Sequence, residues 1–111
     1  MIKALVLVAA TLSEHWVCAM PNKLEPAHAI LFDFQFAGDE VIEKSSGFGW
    51  EIRYHIMKND NDLTYAVRPS EPTSVDTIRI YKLNHSFTYT HIGENDIQSE
   101  GDCMKMDDKS P

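Results

Sequence analysis

With 111 residues the chain has room for one domain and a small core. Its formal net charge is −7, with 10 Lys and Arg against 17 Asp and Glu. No basic stripe exists to displace counterions, so charge excludes nucleic acid and a polybasic membrane contact as partners.

The first residues, Met1-Ile2-Lys3, an apolar run from Ala4 to Leu12 and a more polar segment from Ser13 to Ala19, have the tripartite order of an export leader. The run is too short to span a bilayer, which takes roughly 20 apolar residues. The expectation is therefore an exported protein, periplasmic or secreted, with a signal peptide over residues 1–19; the other reading of the same run is a first buried strand. Cleavage after Ala19 would discard Cys18 and leave Cys103 unpaired. Cleavage after Ser13 would keep both, and Cys18 could then bridge to Cys103 across a loop of about 85 residues in an oxidising compartment. The bridge is the favoured arrangement, because a small core gains most from a covalent staple.

Pro21 to Pro26 read as a linker (residues 20–27), after which a single β domain is expected over residues 28–106. Ile30, Phe32, Phe34 and Phe36 alternate with Leu31, Asp33 and Gln35, the period-two signature of a strand with one buried face. Ala37-Gly38-Asp39 turn the chain into a shorter strand from Glu40 to Lys44, with Val41 or Ile42 inward. From Gly47 to Met57 the alternation is longest: Phe48, Trp50, Ile52, Tyr54 and Ile56 share one face, and Glu51, Arg53 and His55 the other. This segment is expected to be the central strand, and Lys58 to Asp62 a hairpin connection.

Leu63, Tyr65 and Val67 are taken as the core face of the next strand, and Pro69 to Val75 as an irregular loop. Asp76 to Leu83 resumes the pattern with Ile78 and Ile80, Asn84 and His85 turn, and Ser86 to Ile92 follows with Phe87 and Tyr89. A last segment runs from Ile97 to Met106, and the polar tail 107–111 reads as disordered. No stretch offers a capped amphipathic helix. The fold class predicted is all-β: a small antiparallel meander of six to seven strands, barrel-like or folded as a sandwich. The ending Gly101-Asp102-Cys103-Met104-Lys105 resembles the closing strand of small exported bacterial proteins, a likeness that carries no activity.

The polar residues assemble no chemistry by spacing. His85 and His91 share strand parity but lie six residues apart, about 20 Å along an extended chain, too far for one metal ion. Asp60 and Asp62 with Asn59 and Asn61 look like a calcium loop only superficially, because Tyr65 stands where the tight-turn Gly belongs. No pair of carboxylates and no Cys103–histidine arrangement stands out as catalytic, and Gly47-Phe48-Gly49 precedes a strand rather than a helix that could hold phosphate. Asn84-His85-Ser86 matches a glycosylation acceptor at a hairpin tip. No catalytic residue, cofactor or metal ligand is assigned.

The expected function is non-catalytic binding, through a strand edge or loop surface, to a protein partner such as an extracytoplasmic enzyme. Glu51, Arg53 and His55 are the candidate binding face. The alternative is a carrier of a small apolar ligand in a barrel interior lined by the aromatic residues Phe32, Phe34, Phe36, Phe48, Trp50, Tyr54, Tyr65, Phe87 and Tyr89. A metal-binding protein or enzyme is the third reading.

Overall fold

The computed structural model describes residues 14–21, 24–25, 27–45, 51–71, 73–93 and 96–106. The apolar start, Gly47 to Trp50 and the tail 107–111 lie outside the described residues. None of the described residues is helical, and so no helix among them is long and apolar enough to cross a membrane.

Eight strands follow one another: β1 His15–Met20, β2 Ile30–Ala37, β3 Glu40–Ser45, β4 Glu51–Asn59, β5 Leu63–Glu71, β6 Ser74–Tyr81, β7 Ser86–Ile92 and β8 Ile97–Lys105. Each pairs antiparallel with the next, and β1 pairs with β8, so the meander closes into a barrel. This settles barrel over sandwich and corrects the strand count. The added strand is β1, which occupies the segment read as the end of the leader. Its inward residues Trp16 and Cys18 are 2 % and 0 % exposed, so it is part of the core rather than an appendage. Cys18 and Cys103 are direct cross-strand partners joined by a disulfide.

Alternation decides what fills the barrel. Phe34, Phe36, Val41, Tyr54, Ile78, Ile80 and Phe87 all point inward and are buried, with the Phe32, Phe34 and Phe87 rings in mutual contact at 5.6 to 6.0 Å between centroids. The face expected to be buried in β5 is the wrong one. Thr64 and Ala66 are fully buried and Arg68 shares their parity, while Tyr65 lies outside beneath the Arg79 guanidinium, 4.4 Å from its ring centre. The small inward residues of β5 leave space for Ile78 and Ile80 on the neighbouring strand. Pro69 does not begin a loop either: β5 runs on to Glu71 through a register shift between Pro69 and Glu71, the kind of position where a missing N–H is tolerated.

The turns follow their residues. Gly38 takes a positive φ of 63° between the paired Ala37 and Glu40, as a two-residue hairpin beginning with Gly requires. Asp60 Oδ1 accepts hydrogen bonds from the backbone N–H groups of Asp62 and Leu63 at 2.8 and 2.9 Å, so this carboxylate organises its own turn. Gly101 is required by close approach: a Cβ there would lie 2.1 Å from the Ala19 carbonyl oxygen and 2.7 Å from the Phe87 ring.

The strand directions give the barrel two different ends. At the lower end, where β1 starts and the β2–β3, β4–β5 and β6–β7 turns gather, Lys82 acts as a plug. Its Nζ donates to Glu14 Oε2 at 2.9 Å, Asn59 Oδ1 at 2.7 Å and the Asp60 carbonyl at 2.7 Å. A cleft of about 370 Å³ beside it is lined by Glu14, Trp16, Asn61, Lys82, His85 and Lys105. The upper end is where the connections β1–β2, β3–β4, β5–β6 and β7–β8 lie.

Candidate functional site

The inward positions nearer the upper end are not uniformly apolar. Arg68 on β5 faces Asp76 on β6, and Asp76 faces His91 on β7, one cross-strand row of three charged or titratable side chains. Glu43 on β3, Tyr54 on β4 and Tyr89 on β7 add to it. These six residues sit on five consecutive strands and form a polar arc on the inner wall. Each is in phase with apolar neighbours on its own strand: Glu43 with Val41, Asp76 with Ile78 and Ile80, His91 with Phe87 and Tyr89.

The arc has two hydrogen-bonded halves. Tyr54 Oη donates to Glu43 Oε1 at 2.9 Å, a buried contact. Burial raises the Glu43 carboxyl above the ordinary range, and the Tyr54 hydrogen bond offsets only part of that. Burial likewise pushes the Tyr54 hydroxyl far above the usual phenol range, and the adjacent Glu43 charge adds to it. In the second half Asp76 is the hub. His91 Nδ1 lies 2.5 Å from Asp76 Oδ1, and Tyr89 also hydrogen-bonds this carboxylate; burial first, and the Asp76 charge second, push the Tyr89 hydroxyl up to about 12.

Arg68 is the exception to this pairing. Its Nε is buried and has no hydrogen-bond partner. The nearest carboxylate oxygen, Asp76 Oδ2, is 3.7 Å away, an ion-pair distance beyond hydrogen-bond reach. Its side chain is 28 % exposed overall, so parts of the side chain other than Nε reach solvent. Across the barrel, Met20 on β1 and Phe32 on β2 are only partly buried against the core, and Ile52 on β4 lies within the arc itself, paired with Glu43. An apolar side therefore faces the polar arc.

The arrangement offers donors, acceptors and an apolar wall, which is the chemistry of binding. Both cysteines are in the disulfide, the Tyr54 hydroxyl is held by Glu43, and His91 is bonded through Nδ1 to Asp76. Among the described residues no three His, Cys, Asp or Glu converge as a metal-holding group.

The face proposed from sequence sits elsewhere. Glu51, Arg53 and His55 point outward from β4, where Arg53 bridges Glu40 at 2.9 Å and Glu51 at 3.4 Å, and His55 Nδ1 lies 3.9 Å from Asp39. They form a solvated ionic lattice with their own neighbours. Of the aromatic set, Phe32, Phe34, Phe36, Tyr54, Phe87 and Tyr89 are inside, Tyr65 is outside, and Phe48 and Trp50 fall outside the described residues. Glu43, Arg68 and Asp76 were not singled out from sequence and His91 was weighed only as a metal ligand, although their phase with buried neighbours is the signal that marks them. Comparison with protein-family models, with characterised proteins and with solved structures finds no match to this chain.

Proposed function

We propose that the protein is an exported, non-catalytic barrel that binds a small molecule at its upper mouth, beside the polar arc of Glu43, Tyr54, Arg68, Asp76, Tyr89 and His91. The observation that carries this reading is the Arg68 donor left without an acceptor inside the barrel wall. A buried unpaired N–H costs about 1 to 3 kcal/mol, and a ligand atom would remove that cost. Export is supported by the Cys18–Cys103 disulfide, which suits an oxidising compartment. Because β1 and Cys18 complete the barrel, the leader boundary that fits this fold is the one after Ser13.

A wholly apolar cargo fits less well, since Phe34 and Tyr54 are each 1 % exposed and fill the middle of the barrel, and the remaining wall is half polar. The protein-partner reading changes as well. Closure leaves no free strand edge among the described residues, so a partner would have to use an outer face. An outer groove of about 510 Å³ lined by Tyr81, Ser86, Thr88, Glu100 and Asp102 among others favours that second reading for a basic partner segment.

Amide NMR of the oxidised protein titrated with anionic, neutral and cationic fragments separates these readings. Shifts clustered on Met20, Ile52, Arg68, Tyr89 and His91 are expected. Fragments that move only the outer face of β7 and β8, or nothing, would remove the mouth as the site.

A further inference from the structure

Resting on that reading of the mouth, we propose that the ligand is a small organic anion, a carboxylate carried on a short apolar body, with Arg68 as its anchoring residue. A guanidinium keeps its charge at all physiological pH and offers a planar fork of donors that matches a carboxylate in two parallel hydrogen bonds. Inside this barrel that fork has no rival acceptor at bonding distance. Asp76, its only close carboxylate among the described residues, is engaged by His91 and Tyr89, and stands 3.7 Å from Nε. The other interior carboxyl, Glu43, is bonded to Tyr54 and pushed by burial toward its neutral form.

The body of the ligand is constrained from the opposite side. Met20 and Phe32 offer apolar surface that is not yet fully covered, whereas Phe34, Tyr54 and Phe87 beneath them are each 1 % exposed. The occupant must be short, a few methylenes or a single ring, lying between Arg68 and the apolar wall. A long acyl chain would meet the packed aromatic floor.

The test uses the oxidised full barrel and three probes of one length: hexanoate, hexanamide and hexylammonium, titrated at pH 7 and low salt by calorimetry and amide NMR. Hexanoate is expected to bind at the mouth about tenfold or more tighter than either analogue, and Arg68→Gln to weaken hexanoate by a similar factor while leaving hexanamide unchanged. Should Arg68→Gln fail to fold, the ranking of the three probes on the unaltered protein decides alone. Hexanamide or hexylammonium binding at the mouth as tightly as hexanoate overturns the anion assignment and leaves the mouth as a binding site. An unchanged hexanoate affinity in folded Arg68→Gln overturns Arg68 as the anchor. Absence of binding by all three probes overturns the anion assignment, and when the wider fragment panel is silent too, the mouth itself.

Discussion

Glu43 and Glu14 are both interior-facing glutamates bonded to aromatic donors, and they respond oppositely to their surroundings. Burial dominates at Glu43 and raises it from the ordinary 4.5. At Glu14 burial also raises the carboxyl, but hydrogen bonds from Trp16, Lys82 and Asn59 and the Lys82 charge outweigh it and hold it below 4.5. The linkage signs follow. Folding stability due to Glu43 is fully present below about pH 4.5 and is lost as pH rises through its raised folded value. Stability due to Glu14 is present above about pH 4.5 and is lost as pH falls through its lowered one. Glu43→Gln keeps an acceptor for Tyr54 and removes the buried charge. It is expected to be more stable than the parent at pH 8 by about 1 kcal/mol, with the gap closing toward pH 4.5. Urea midpoints measured across that range check this, and parallel profiles for the two proteins would count against it. At this scale the sequence was least legible. Glu43, Asp76 and His91 look like ordinary surface residues until the parity of each strand is known, and an inward charge is visible only as a polar residue in step with buried ones.

At the level of elements, the strands with large apolar residues in phase were readable: β2, the described part of β4, β6 and β7. Two were not, for different physical reasons. In β5 the bulkier residues Leu63, Tyr65 and Val67 lie on the outside, and the packed face is built from Thr64 and Ala66 because their neighbours are large. Bulk alone therefore pointed to the wrong face. In β1 the six-residue strand follows directly on an apolar run with leader chemistry, and nothing in its own pattern separates it from that run. The β6–β7 turn carries a different kind of information, since it delivers Lys82 to the lower end of the barrel. Lys82→Met keeps most of the stem but removes the charged donor shared by Glu14, Asn59 and the Asp60 carbonyl, leaving Glu14 to Trp16 and Asn59, and Asn59 to Thr64. The expected cost is about 2 to 3 kcal/mol at pH 7, together with a shallower Glu14-linked decline in acid. Thermal or urea unfolding at pH 7 and pH 4 measures both, and a variant as stable as the parent would show the plug to be dispensable.

For the molecule as a whole, the all-β class followed from the regular spacing of short strands, which left barrel and sandwich open, and the disulfide was the favoured of two arrangements of the cysteines. The closing seam did not, because pairing between β1 and β8 joins residues 85 positions apart and leaves no local trace in composition or period. That seam brings the two ends of the described chain together. Trp16 pairs with Lys105, and the Met106 N–H donates to the His15 carbonyl at 2.8 Å. The barrel is therefore a ring of strands whose starting point is arbitrary. A circular permutant with residues 14 and 106 joined by a short Gly/Ser linker, and new ends at the exposed Gly38–Asp39 turn, is expected to fold. In it the same cysteines would enclose only the linker and a few residues instead of 85, so the stability difference between oxidised and reduced protein should shrink by about 1 to 2 kcal/mol. An undiminished difference would mean that the bond acts on the folded barrel itself. Cut elsewhere, the chain would keep its contacts and draw less from its staple.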